Sequence, residues 1–396
     1  MAEKPEDKKF TPIDKALPNI QNLDLDMDDV ASPVDVEIGE EEIETEGPRI
    51  TNLADGGAEV NFDPSQITPQ NPDDHFANLA DSLPDSVLGV LGSNLYEQHM
   101  DYKMSRKDWE DTYIKGLDLL GFKYQNRTQP FQGASGATHP VLAEAVTQFQ
   151  AGAYKELLPA DGPVRTQVMG VGTPQKEQQA KRVKNYMNYM LMNQMKGYDE
   201  DFDQMLFYLP LAGSTFKKVY YDALKQQAVS KFVPADDLLV PYSAASLDDA
   251  ETVMQVLKLS GNEIKKQQVA GFYRDVDLGT PQYFEDPLTA KEKEIDGQKK
   301  TKPEDIFTLY ECHTNLNLEG FEDINPQTGE PTDIKLPYIV TIDAGSRTVL
   351  SIRRNYAPND PTKKKIQYFV HFKFLPGLGF YGLGLIHMIG GLSRTA

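Results

Sequence analysis

Apolar residues along this chain follow two different periods, and the change between them falls near Pro210. From about residue 81 they recur at helical spacing. Trp109, Tyr113, Leu117 and Leu120 share one face, with Ser105 and Asp108 placed as a capping box before them and Gly121 as a stop. A second helix is predicted to begin at Pro140, which suits a first turn because its missing N–H has no partner there anyway. Its stripe is Leu142, Val146, Phe149, Ala153 and Leu157, and Pro159 ends it. A third runs from Gln175 to Met195, with Val183, Tyr186, Met187, Met190 and Leu191 on one face and Lys181, Arg182, Lys184 and Asn188 opposite. A Met and Tyr stripe of this kind reads as core or subunit contact rather than as a ligand box.

After Pro210 the period shortens to two. Thr215 to Asp222, Ala228 to Val233, Thr252 to Leu259, Ile306 to His313, Tyr338 to Asp343, Thr348 to Asn355 and Ile366 to Phe374 are rich in Val, Ile, Tyr, Phe and Thr, as strands are. One short helix is expected at Glu263 to Phe272, behind Ser260. The charged stretch from Pro281 to Pro303 is a solvated loop or a helix laid on the outside. Helices followed by strands, without strict alternation or internal repeats, make the fold class α+β. The expected organisation is an acidic arm over 1–80, a helical part over 81–204, a β-rich part over 205–375, and a Gly-rich turn leading into a helix over 376–396.

Composition sharpens the picture at the N-terminus. The formal charge is −20, yet residues 1–74 alone hold 20 Asp and Glu against 5 Lys and Arg, so the acidity is concentrated there. Such a segment buries too little apolar surface to offset its backbone entropy and reads as disordered. A sharper reading is a tail that binds a basic partner or mimics DNA. A net negative chain has no electrostatic reason to hold nucleic acid tightly, since phosphate affinity comes from Lys and Arg releasing counterions. Cys312 is the single cysteine, which rules out an intrachain disulfide or a cysteine-rich metal knuckle and fits the cytoplasm. No signal-peptide core or bilayer-spanning apolar run is present, so no membrane partner is expected.

Candidate chemistry is sparse. Gly377, Gly379 and Gly382 satisfy G-x-G-x-x-G and are followed by Gly384, but Pro376 interrupts the junction and the preceding run alternates rather than being uniformly aliphatic. A structural turn packed on the Pro140 helix or on a neighbouring subunit is the expectation, with a nucleotide-binding enzyme as the alternative. Gly133 to Ala137 falls one glycine short of a nucleophile elbow. Cys312 and His313 are neighbours on a strand, where consecutive side chains point to opposite faces, so they form no dyad. The Asp236, Asp237 and Asp248, Asp249 pairs invite a metal-dependent reading, but adjacent Asp residues are common in turns. Lys363, Lys364 and Lys365, near Arg353 and Arg354, could touch DNA or a partner, although such runs are usually a solvated face. No cofactor and no catalytic or metal-binding residue is assigned.

Four segments, taken in order, carry a resemblance: Arg127 to Pro159, Met205 to Asp222, Phe232 to Ala250 and Phe372 to Leu392. Together they resemble the portal proteins of short-tailed bacteriophages, the head-to-tail connectors. The resemblance implies a structural virion protein, not an enzyme, assembled in the bacterial cytoplasm as a homo-oligomeric ring of about twelve copies at one capsid vertex. It implies contacts with capsid protein, with the terminase during packaging, with tail adaptors afterwards, and transiently and non-specifically with double-stranded DNA during packaging and ejection. A mildly acidic tunnel suits a duplex that must slide. Family members continue beyond the Gly-rich segment, so the sequence reads as truncated before a stem and tunnel region. Another head-assembly or minor capsid protein is the runner-up, but a scaffold would be helical throughout, unlike the strands after 210.

Overall fold

The computed structural model describes residues 50–52, 58–60, 74–120, 140–222, 227–282, 286–295, 306–325 and 328–395, with backbone alone described at 50–52, 58–60 and 392–395. In chain order the elements begin with a short antiparallel pair, β1 (Ile50–Asn52) and β2 (Ala58–Val60). Helices α1 (Asp85–Ser105), α2 (Lys107–Leu117), α3 (Val141–Leu157), α4 (Pro174–Tyr189) and α5 (Tyr198–Ala212) follow. Then come β3 (Ser214–Asp222), β4 (Gln227–Pro234), β5 (Leu238–Leu239), β6 (Val253–Ser260), α6 (Gly261–Val269) and α7 (Pro287–Ile295). The chain closes with β7 (Ile306–Leu316), β8 (Leu336–Asp343), β9 (Val349–Arg354), β10 (Phe369–Lys373) and α8 (Leu385–Thr395). The expected α+β class holds.

Two antiparallel sheets carry the β-rich part. One has five strands in the order β5-β6-β7-β8-β9, and the other has three in the order β10-β3-β4. In the five-stranded sheet Met254 lies opposite Cys312, and Cys312 opposite Val340. One face of this sheet packs on α1 through Leu88 and Leu95. A second core joins the helices to the three-stranded sheet, with Trp109, Tyr113, Leu142, Val146, Leu211, Phe216, Val233, Phe380 and Ile386 in contact. The helical and strand-rich parts therefore share one core rather than forming separate bodies.

Between the two sheets, Lys218 of β3 donates to both carboxylate oxygens of Glu311 on β7, at 2.6 and 2.8 Å, and to Gln255 Oε1 at 3.0 Å. His313 Nε2 lies 2.7 Å from the same carboxylate. Burial by itself would raise the Glu311 pKa, but the Lys218 charge and the hydrogen bonds from His313 and Lys218 outweigh it and hold the carboxyl down at about 2.

Several local expectations are corrected. Ser105 caps nothing: it ends α1, its hydroxyl donates to Tyr102 O at 2.7 Å, and α2 starts from Arg106 without a side-chain cap. The capping box lies instead at Ser260 and Glu263, where both reciprocal bonds form ahead of α6. Pro140 is the N-cap of α3 rather than its first residue, and Leu157 at the far end of the stripe is exposed. The charged stretch after Pro281 contains a helix, α7, and its Leu288 is fully buried in the main core, so this helix is pinned rather than laid outside. The fold also starts earlier than residue 81. The Asn78 side chain accepts from Ile352 N–H at 2.9 Å and donates to Leu350 O at 3.2 Å, tying it to the backbone of β9, and Leu79 and Ala80 are completely buried. Within the arm the β1–β2 pair is also formed, and its remaining residues, with Gly133 to Ala137, lie outside the described residues.

Candidate functional site

The Gly-rich segment is a turn, as its composition predicts, and an isolated bridge pairs Leu375 with Leu383 across it. It packs closely on the junction between α5 and β3. Gly213 terminates α5 in the left-handed region at φ +88°, where a side chain would be strained. The glycines of the turn are required by close approach instead. A Cβ at Gly382 would lie 2.4 Å from Gly213 O, one at Gly384 2.2 Å from Leu211 O, one at Gly379 2.3 Å from the Tyr242 ring, and one at Gly377 2.2 Å from Tyr381 O. The space a phosphate would need is filled by the chain itself. The preceding strand, β10, is the edge of an antiparallel sheet. Both facts contradict the dinucleotide geometry, which needs a parallel strand feeding an open glycine loop.

Hydrogen bonds lock the turn from three sides. Gly382 N–H donates to Ser214 Oγ at 2.7 Å, and Trp109 Nε1–H donates to Gly382 O at 3.2 Å. Ser214 Oγ in turn pairs with His371 Nε2 at 3.0 Å. The Tyr381 hydroxyl donates to Leu238 O at 3.0 Å and accepts from Val240 N–H at 3.2 Å. Its ring stacks on Trp109 with centroids 5.0 Å apart.

Arg106, at the break between α1 and α2, is the hub. It is 1% exposed, and its guanidinium donates to Ala235 O at 2.5 Å, Leu238 O at 3.2 Å, Asp236 O at 2.9 Å and the Tyr381 hydroxyl at 3.3 Å. Nε pairs with Glu110 at 3.3 Å. A planar fork of donors is what allows one side chain to satisfy this many carbonyls in a dry site.

On the other side of Arg106 a cleft of about 510 Å³ opens between α1, α2, α7 and the β5–β6 pair. Asp236 and Asp237 line it together with Glu110 and Asp286. Burial raises the Asp236 pKa to about 7, with the neighbouring Asp237 charge adding to the effect and Arg106 opposing it. Burial also raises Glu110 and Asp237. Asp286 goes the other way: burial works against ionisation, but its hydrogen bond and ion pair with Lys103, at 2.9 Å, prevail. His99 stacks on Tyr310 with centroids 3.8 Å apart, and neither ring nitrogen has a protein partner. Burial, then the Lys103 and Arg106 charges, hold it neutral with a pKa of about 3.

The other sequence candidates take structural places. Asp249 forms a turn with Ser246, whose hydroxyl donates to Oδ2 at 2.8 Å and accepts from Asp249 N–H at 3.2 Å. Cys312 is buried in the core against α1, while His313 faces Phe369 from the opposite side of β7. Lys363 pairs with Asp323, and Lys365 Nζ donates to Leu247 O and Ala250 O at 3.2 and 3.1 Å. Arg353 and Arg354 are committed to main-chain carbonyls of Phe76 and Asp74. Within the basic run Lys364 is exposed, while Lys363 and Lys365 are half-buried. Among the described residues no three His, Cys, Asp or Glu side chains are placed to share a metal ion. No helix among them is long and apolar enough to cross a membrane.

Arg106 escapes sequence reasoning because it stands in no motif, and Tyr381, although inside the glycine motif, occupies one of its unspecified positions. The cleft escapes for a similar reason, being assembled from α1, α2, α7 and β6. In comparisons with known proteins, no family model and no curated protein sequence matches this chain.

Proposed function

We propose that this chain is a subunit of a phage portal ring, a structural protein that conducts DNA through one capsid vertex and does no chemistry of its own. The observation that carries the reading is convergence. The four segments that resemble portal proteins lie far apart in sequence, yet they supply one continuous core: Leu142 and Val146 from the first, Leu211 and Phe216 from the second, Val233 and Leu238 from the third, Phe380 and Ile386 from the fourth. Text-level likeness confined to surface loops would not concentrate in this way, because core residues answer to packing.

The chemistry of the molecule points in the same direction. The glycine motif is filled by the chain, Cys312 and His313 face apart, and the basic run near the C-terminal third is engaged internally. The chain as a whole is net negative at −20, as suits a protein past which DNA slides. The helical and strand-rich parts together form the wing of the subunit on this reading, and the acidic arm precedes it.

The test is the native mass of the complete gene product, with particle symmetry counted in negative-stain images. A closed ring of about twelve copies is expected. A monomer at high concentration would overturn the reading.

A further inference from the structure

Residues 159–197 differ from the rest of the molecule in both charge and exposure. Of the chain's 40 Lys and Arg and 60 Asp and Glu, this stretch holds six of the former and two of the latter, so a basic arm stands on an acidic protein. Helix α4 within it has no buried residue. Part of its stripe faces outward: Val183, Tyr186 and Met187 are 43, 42 and 44% exposed, while Met190 and Leu191 are half-buried.

The arm is nevertheless built to hold one shape. Asn188 donates to Asp161 O and Val164 O, each at 3.2 Å, and accepts from Val164 N–H at 2.8 Å. Thr166 Oγ1 donates to Ala180 O at 3.0 Å. Gly162, at φ +89°, leaves room for the Asn188 side chain. Polar groups are thus spent internally to fix a hairpin whose apolar stripe stays partly exposed at Val183, Tyr186 and Met187. A contiguous exposed stripe of Met, Tyr and Val on a fixed element marks an interaction surface.

The cleft beside Arg106 offers the complementary features. Its rim carries Met100 and Met104, 43 and 63% exposed, and its lining holds five carboxylates against three lysines. The buried His99 ring lines it with both nitrogens lacking a protein partner.

We propose that the basic arm of one copy docks its Val183–Met187 stripe against the acidic, Met-rimmed cleft between α1, α2 and α7 of a second copy. The inference rests on the reading of the chain as a ring subunit and says which surfaces meet. Arm and cleft are different patches, so the contact is heterologous, and a heterologous contact repeated from copy to copy closes into a ring when its rotation allows. Charge complementarity sets the direction, because an arm carrying Lys181, Arg182 and Lys184 is attracted to carboxylates and repelled by another arm.

The test uses two single-substitution variants of the full chain, Met187→Cys on the arm and Met104→Cys on the cleft rim; the native Cys312 is buried and inert to reagent. Mixed and treated with a short bis-maleimide, the two variants are expected to give a covalent dimer that neither gives alone. The oligomeric mass is read on the same samples. Oligomers with no mixed cross-link would overturn the docking while leaving the ring reading intact, and monomers with no cross-link would overturn both. A cross-link from Met187→Cys alone would replace the heterologous contact with an arm-to-arm one. In a parallel sample, Lys181→Glu with Arg182→Glu is expected to weaken association at least tenfold. Loss of duplex DNA retention with the oligomeric mass unchanged would instead assign the arm to nucleic acid.

Discussion

The glycine-rich junction and the arm of residues 159–197 sit in the same chain and solve opposite problems. At the junction, four glycines, two aromatic rings and one arginine are engaged in intramolecular contacts, and only Leu378 at the tip of the turn is left fully exposed. In the arm, a comparable supply of Met, Tyr and Val is held outward on a helix with no buried residue. The difference shows that glycine and aromatic content alone does not mark a binding site. What marks one is apolar surface kept available by polar groups that hold it in place.

Substitutions separate the two regions by size of effect. The largest is expected at Gly382→Val, where the new side chain meets the Gly213 carbonyl; overpacking against backbone costs more than about 4 kcal/mol and leaves little folded protein. Circular dichroism and urea unfolding read this directly. Next comes Arg106→Met, which strands Glu110 and several buried carbonyls and is expected to cost about 3–5 kcal/mol in urea unfolding.

Glu311→Gln ranks third, at about 3 kcal/mol near neutral pH, because it leaves Lys218 without its buried partner. Its pH dependence is more diagnostic. The folded carboxyl is held at about 2, below its unfolded value, so its stabilisation is present above the unfolded pKa and lost as pH falls through the folded one. The difference between wild type and variant should therefore shrink between about pH 4.3 and pH 2 in urea titrations. Asp236 has the opposite sign. Its folded pKa is raised to about 7, so stability falls as pH rises from the unfolded value of about 3.9 towards 7, and the cost is complete above that. Asp236→Asn is expected to stabilise the protein by about 1–3 kcal/mol at pH 8 and to have little effect below about pH 3, where the carboxyl is mostly protonated in both states. The smallest change in fold stability, under about 0.5 kcal/mol, is expected for Tyr186→Ser on the arm, with loss of association as its main effect.

Much of the fold is legible in the sequence because burial imposes a period. Seven strands from Thr215 onward and three helices before Pro210 fall close to their expected places, since Val, Ile and aromatic alternation and the Trp109–Tyr113–Leu117 spacing both report which face is covered. The short helix expected behind Ser260 is present as α6, and the structure adds the capping box at its start. Ser105 misleads because a hydroxyl at that spacing is equally able to bond back to its own helix, as it does to Tyr102. The glycines of residues 377–384 are legible as a turn but not as to what they touch, because close approach depends on Gly213 and Tyr242, well over a hundred residues away. The α4 stripe has the period of a buried face, and pattern alone does not say whether its cover comes from the same chain or from another copy. The cleft is legible only as two adjacent aspartates.

The most direct test of the central claim is the native mass of the full gene product, measured beside Lys181→Glu with Arg182→Glu. A ring of about twelve copies for the wild type, falling to smaller species in the variant with unfolding unchanged, is the predicted result. A wild-type monomer would contradict the account.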